Sequence, residues 1–106
     1  MPLTTNEPIG DQHIAQIASL FKAIGDPTRL RILITLMQHG DRCVGDIASA
    51  VAMSDSAVSH QLRLLRALRI VHAHKHGRTV TYCLDDDHIK ALLTQAIEHQ
   101  QHLQGG

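Results

Sequence analysis

A mainly α domain carrying one β-hairpin is what this sequence predicts, and three observations predict it. Apolar residues recur at helical spacing in five separate segments, whereas one stretch, IVHAHKHGRTVTYCL, alternates residue by residue. With one Phe, one Tyr and no Trp, the core has to be built from Leu, Ile, Val, Ala and Met, which suits packed helices better than an aromatic-rich sandwich. At 106 residues the chain makes one domain, residues 1–106, small enough that a second subunit would help to cover apolar surface.

The elements follow in order. Ile14, Ile17, Ala18, Phe21 and Ile24 set a first helix from about Asp11 to Gly25, where glycine supplies the stop. Asp26-Pro27 reads as an N-cap with proline at the first helical position, and Leu30, Leu33, Ile34 and Met37 carry a second helix, packed on the first, to His39-Gly40. Val44, Ile47, Ala48 and Val51 make a short third helix. After a turn at Met53-Ser54, Ser54 or Asp55 caps a fourth helix bearing Val58, Leu62, Leu65 and Leu68. Short helix, tight turn, longer helix is helix-turn-helix spacing. The alternating stretch then folds as a two-stranded hairpin about His76-Gly77-Arg78, and a fifth helix runs from about Asp86 to Leu103. The whole is a winged helix-turn-helix, with residues 1–10 and 104–106 expected to be disordered.

Formal net charge is zero, yet the charges are unevenly placed. From Ser56 to Leu84 there is no Asp or Glu, while Arg63, Arg66, Arg69, Lys75 and Arg78 are basic and His60, His72, His74 and His76 can titrate. A basic block inside a neutral protein is a local electrostatic footprint, and nucleic acid is its commonest partner. In the fourth helix the apolar positions claim one face and leave Ser56, Ser59, His60, Arg63 and Arg66 on or near another. Hydroxyls near its N-terminus and guanidinium groups further along suit a helix that enters a major groove, bonds base edges and clamps phosphates. Lys75 and Arg78 at the hairpin tip would then reach the adjacent backbone or minor groove.

The last helix, DDDHIKALLTQAIEHQQH, carries four acids, three of them in a row at its start, and three histidines. At 100° per residue His88 and His99 share a face, and His102 lies one turn beyond His99. The first two are about 16 Å apart along the axis, too far for one zinc ion. Two antiparallel copies close the gap: a twofold axis near Leu93-Thr94 brings Asp86 and His88 of one chain opposite His99 and His102 of the other, giving two equivalent sites. The stripe Ile89, Leu92, Leu93, Ala96 and Ile97 would build the adjoining helix-helix interface. Three imidazoles and one carboxylate suit Zn(II), tolerate Co(II), and include no thiolate to favour Cu(I), Cd(II) or As(III).

The segments FKAIGDPTRLRILITL, CVGDIA, SDSAVSHQLRLLR, HGRTVTYCL and the final D-x-H helix, in that order, resemble the ArsR/SmtB family of bacterial metal-sensing repressors. The resemblance covers about His13 to His102, and SHQLRLLR after a capped serine turn is its most specific part. It implies a homodimer, joined through the first and last helices, whose two recognition helices read an imperfect palindrome in double-stranded DNA. Carried over by position, Ser54, Ser56, Ser59, His60, Gln61 and Arg63 face the operator, with Lys75 and Arg78 on the wing. Zinc- and cobalt-responsive members hold an intersubunit site on the last helix, and Asp86, His88, His99 and His102 match it by residue type and spacing. The implied activity is metal-responsive repression: the metal-free dimer binds its operator, and Zn(II), or else Co(II) or Ni(II), releases it.

Other candidate donor sets stand beside this one. Cys43 stands where thiolate-using members of that family begin a Cys-x-Cys pair followed by Asp, but Gly45 removes the second thiolate; Cys43, Asp46 and His13 are left as a secondary hard-metal set. His72, His74 and His76 alternate on one strand face, where neighbours two apart can chelate, although their place on the wing also suits contact with phosphates. An alternative sensor would use oxidation of Cys43 and Cys83. No HExxH helix and no general base beside an open metal position argue for a hydrolase, so the protein is not expected to be an enzyme. No apolar run approaches a membrane span and MPLTTNEPIGDQ has no secretory pattern, so a cytoplasmic location is expected.

Overall fold

The computed structural model describes residues 7–105; the expectations for residues 1–6 and 106 lie outside that range. In chain order the elements are α1 (Asp11–Ile24), α2 (Pro27–His39), β1 (Arg42–Cys43), α3 (Val44–Val51), α4 (Asp55–Ala67), β2 (Val71–His76), β3 (Thr79–Leu84) and α5 (Asp87–Gly105). Local chemistry explains most of the boundaries. Asp26 Oδ2 accepts from the Arg29 amide at 3.0 Å ahead of Pro27, and Ser54 Oγ accepts from the Ala57 amide at 3.1 Å, so α2 and α4 each begin on a side-chain cap. Gly40 closes α2 at φ 77°. Ala52 supplies the left-handed residue, φ 57°, that ends α3 and turns the chain toward α4. His76 pairs with Thr79, leaving a two-residue turn in which Gly77 takes φ 62° at the first central position, the pattern of a type II′ hairpin.

The core is continuous across the helix-turn-helix and the sheet. Ile32, Leu33, Leu36, Ile47, Ala48, Val51, Val58, Leu62, Leu65, Ile70 and Val71 are buried together, joined from the flanks by Ala23, Ile24, Ile89 and Leu93.

Three features differ from the sequence expectation. The wing is not a two-stranded ribbon: Arg42 and Cys43 pair antiparallel with Tyr82 and Thr81, making a three-stranded sheet of order β1-β3-β2. A two-residue strand has no periodicity to read, and it exists only because the edge of β3 is there to receive it. The last helix continues through Gln104 and Gly105, beyond the expected end at Leu103. Finally, α1 packs on the body only at its C-terminal end: Ala23 and Ile24 are buried, whereas Ile14, Ile17 and Phe21 are 53%, 43% and 55% exposed.

The α5 stripe divides likewise. Ile89 and Leu93 are used up in the chain's own core, Leu92 and Ile97 are half-buried, and Ala96 is exposed. The interface-building stripe expected from sequence is therefore shared between two surfaces, and only its outer part is left for another chain.

Candidate nucleic-acid interface and metal-ligand residues

Helix α4 turns Val58, Leu62 and Leu65 inward. Positions 56, 60, 63 and 67 fall on the opposite side at 100° per residue, so Ser56, His60 and Arg63 form an exposed outward row with no acid in it. Ser59 is half-buried at the margin. Ser54 is exposed, but its hydroxyl is engaged as the helix cap and lies 3.4 Å from the Ser56 hydroxyl. Lys75 and Arg78 are exposed at the hairpin end.

Gln61 stands apart from the other operator-facing candidates. It is half-buried, and its side-chain carbonyl accepts from Arg29 Nη1 at 3.4 Å. Arg29 in turn donates from Nε to the Ala23 carbonyl at 2.9 Å. One guanidinium thus joins the end of α1, the start of α2 and the middle of α4. The sequence reading missed Arg29, because a lone Arg in the first turn of a helix gives no sign of a partner 32 residues away.

On α5, Asp86 is the N-cap. Its Oδ1 accepts from the His88 amide at 2.9 Å and the Ile89 amide at 3.1 Å, leaving Oδ2 unused by the helix. The Ile89 amide, with lesser help from the His88 amide and imidazole, holds this carboxyl below its ordinary range. His88 Nδ1 lies 3.6 Å from Asp86 Oδ1 with its side chain 95% exposed, so these two donors are already adjacent. His99 and His102 are exposed on the far half of the helix. Within one chain the four are not gathered, as the length of the helix requires.

Nor are His13, Cys43 and Asp46 gathered. Among the described residues, the set of three or more donors that does converge is Asp41, His74 and Cys83, whose ligand atoms lie within 4.8 Å of one another. The other wing histidines flank His74: His72 and His74 meet edge to face at 4.6 Å between ring centroids, the His76 ring is 6.2 Å from that of His74, and His72 Nδ1 is 3.8 Å from Asp85 Oδ1. Burial first, then the charges of Asp41 and Asp85, push the Cys83 thiol above its usual range. Both cysteines are free thiols.

A helix-turn-helix whose second helix shows an acid-free polar and basic row, followed by a basic wing, defines a DNA-binding transcriptional regulator rather than an enzyme. The profile of the bacterial regulatory protein, arsR family matches residues 26–73. The HTH-type transcriptional regulator NmtR of Mycobacterium tuberculosis is 46% identical over 99 residues, covering 93% of this chain and 82% of its own. A cadmium resistance transcriptional regulatory protein CadC homolog from Staphylococcus aureus is 40% identical, covering 88% and 77%. In three dimensions, the homodimeric winged helix-turn-helix DNA-binding domain Mb0332 from Mycobacterium bovis superimposes with a TM-score of 0.80 at 27% identity, covering 97% of this chain and 96% of that one. The chain belongs to the ArsR/SmtB family of metal-sensing transcriptional repressors. Among the described residues, no helix is long and apolar enough to cross a membrane.

Proposed function

We propose that this protein is a homodimeric repressor that binds a palindromic operator in its metal-free form and releases it when Zn(II) occupies Asp86 and His88 of one chain with His99 and His102 of the other. The observation that carries the reading is the state of α5 in a single chain. Asp86 and His88 are paired and exposed, His99 and His102 are exposed on the distal half, and the apolar surface beside them is left uncovered. That uncovered surface, with Ile14, Ile17 and Phe21 of α1 and Leu103 of α5, supports a dimer joined through the first and last helices. The donor set fits the ion: three imidazoles and a carboxylate whose Oδ2 is not needed by the helix cap make a nitrogen-oxygen tetrahedron suited to Zn(II) and open to Co(II) or Ni(II).

In the same reading Ser56, His60 and Arg63 meet the major groove, Ser54 and Ser59 flank them, and Lys75 and Arg78 of the wing hold phosphates. Gln61 acts more as a strut than as a base contact, since Arg29 already engages it. A route from site to operator exists in packed groups. Thr94 Oγ1 of α5 contacts Met37 Sδ of α2 at 3.6 Å, and Arg29 at the head of α2 reaches Gln61 on α4. A coupling of about 3 kcal/mol along such a route changes operator affinity roughly 150-fold.

The thiol alternative is disfavoured by geometry. Cys43 lies across from Thr81, so Cys83 is its diagonal neighbour, and diagonal Cα pairs are about 7–8 Å apart, beyond easy disulfide reach. A raised Cys83 pKa also lowers the thiolate fraction that oxidation requires.

The deciding measurement is operator affinity of wild type and His99→Ala, with and without Zn(II), at one stated salt concentration. Zinc should weaken wild-type binding and leave the variant unchanged; equal responses reject the site.

A further inference from the structure

The register of the sheet brings together donors that are remote in sequence. On its outer face β2 presents His72, His74 and His76, and β3 presents Thr79, Thr81 and Cys83, since His72 pairs with Cys83 and His74 with Thr81. The third strand adds its own contribution, because Arg42 pairs with Tyr82 and Asp41 therefore arrives beside Cys83. One carboxylate, one imidazole and one thiol, each from a different strand or its approach, converge to within 4.8 Å. Between them Thr81 Oγ1, across from both Cys43 and His74, is buried with no hydrogen-bond partner. A metal-bound water would supply one.

We propose that Asp41, His74 and Cys83 form a second divalent-metal site on the outer face of the sheet, for a thiophilic cation of the Zn(II) class, with the fourth position taken by water or by His72. Tetrahedral donors about a metal at 2.0–2.3 Å sit roughly 3.3–3.8 Å apart, so closure asks about 1 Å of each side chain. Asp41 and His74 are exposed and free to make that adjustment by rotation. Binding replaces the Cys83 thiol proton, which leaves to solvent, with the metal-sulfur bond. The site is complete within one chain, and it depends on neither α5 nor dimerisation.

Its place in the fold gives it a role. Asp41 precedes β1, which leads directly into α3, while His74 lies in the wing. A cation held by both would fix the wing against the helix-turn-helix, giving operator binding a second metal input separate from α5.

Cobalt(II) separates the two sites, because the α5 set has no sulfur and cannot give a sulfur-to-cobalt charge-transfer band. The reduced full-length protein carrying His99→Ala, titrated with Co(II), should develop that near-ultraviolet band and saturate at one ion per chain. Cys83→Ser should abolish it, and Cys43→Ser should leave it intact. His74→Gln and Asp41→Asn, both at exposed positions, should weaken Co(II) by at least roughly tenfold, the scale at which even groups behind the ligands act. A band absent from His99→Ala, surviving Cys83→Ser or lost with Cys43→Ser overturns the proposal. Operator release, read separately, tests the α5 site alone.

Discussion

Helices α4 and α5 carry the two halves of the proposed function, and they are built in opposite ways. Helix α4 is mostly finished within one chain: Ser54 caps it, Val58, Leu62 and Leu65 are essentially inaccessible, and its outward row is polar, although Leu64 and Leu68, the latter expected on its apolar face, stay 40% and 48% exposed at its C-terminal end. Helix α5 is longer, 19 residues against 13, yet Ile89 and Leu93 are the residues it buries. Its distal half leaves Leu103 63% exposed beside His99 and His102, which are exposed as well. The buried face of Val58, Leu62 and Leu65 holds the polar row of α4 in place. The open distal half of α5 is what the proposed site, shared between chains, would need.

The largest expected effect tests how far α4 is self-contained. Leu62→Ala removes a fully enclosed side chain from the centre of the core and should cost about 2–5 kcal/mol in denaturant unfolding, by the usual scale for such truncations. Phe21→Ala is the counterpart on the unfinished surface. Because that ring is 55% exposed within the chain, helical content should be unchanged, while the dimer dissociation constant rises. A loss of about 1.5–3 kcal/mol of burial corresponds to roughly a ten- to hundredfold change, measurable by sedimentation. A monomeric wild type, or a Phe21→Ala variant that unfolds instead, would break the comparison.

Arg63→Ala sharpens it from the DNA side. Losing one groove contact should weaken operator binding by about 1–3 kcal/mol, while the ratio of affinities with and without Zn(II) stays as in wild type. Arg29→Ala should do the reverse. It leaves the outward row in place but releases Gln61 and the end of α1, so zinc affinity should persist while its effect on the operator shrinks by about 0.5–2 kcal/mol. Titration of both variants in parallel, following metal and DNA separately, distinguishes the roles.

The same contrast governs what the sequence could reveal. The α4 features rest on local rules: a capping serine, a 3.6-residue period, a missing acid. They were legible, as were the caps of α2 and the Gly77 turn. Periodicity also showed that α1 and α5 have apolar faces, but not which surface covers them. The expected packing of α2 on α1 holds at Ala23 and Ile24, whereas the chain leaves Ile14, Ile17 and Phe21 outside. Strand β1 and the approach of Asp41 to Cys83 were beyond reach for a different reason. Both depend on the pairing of residues about 40 positions apart along the chain, with no motif at either end.

The smallest effect isolates the double role of Asp86. As the cap of α5 it accepts two backbone amides through Oδ1, and as a proposed ligand it offers Oδ2. Asparagine keeps the capping carbonyl but gives up the charge. Asp86→Asn should therefore leave the metal-free protein within a few tenths of a kcal/mol of wild type, whereas Asp86→Ala should lose about 1 kcal/mol with the cap. Both should weaken zinc binding to similar extents, because neither retains a carboxylate. If Asp86→Asn binds zinc as wild type does while Asp86→Ala does not, the residue serves α5 only as a cap, and the histidines must find their fourth donor elsewhere.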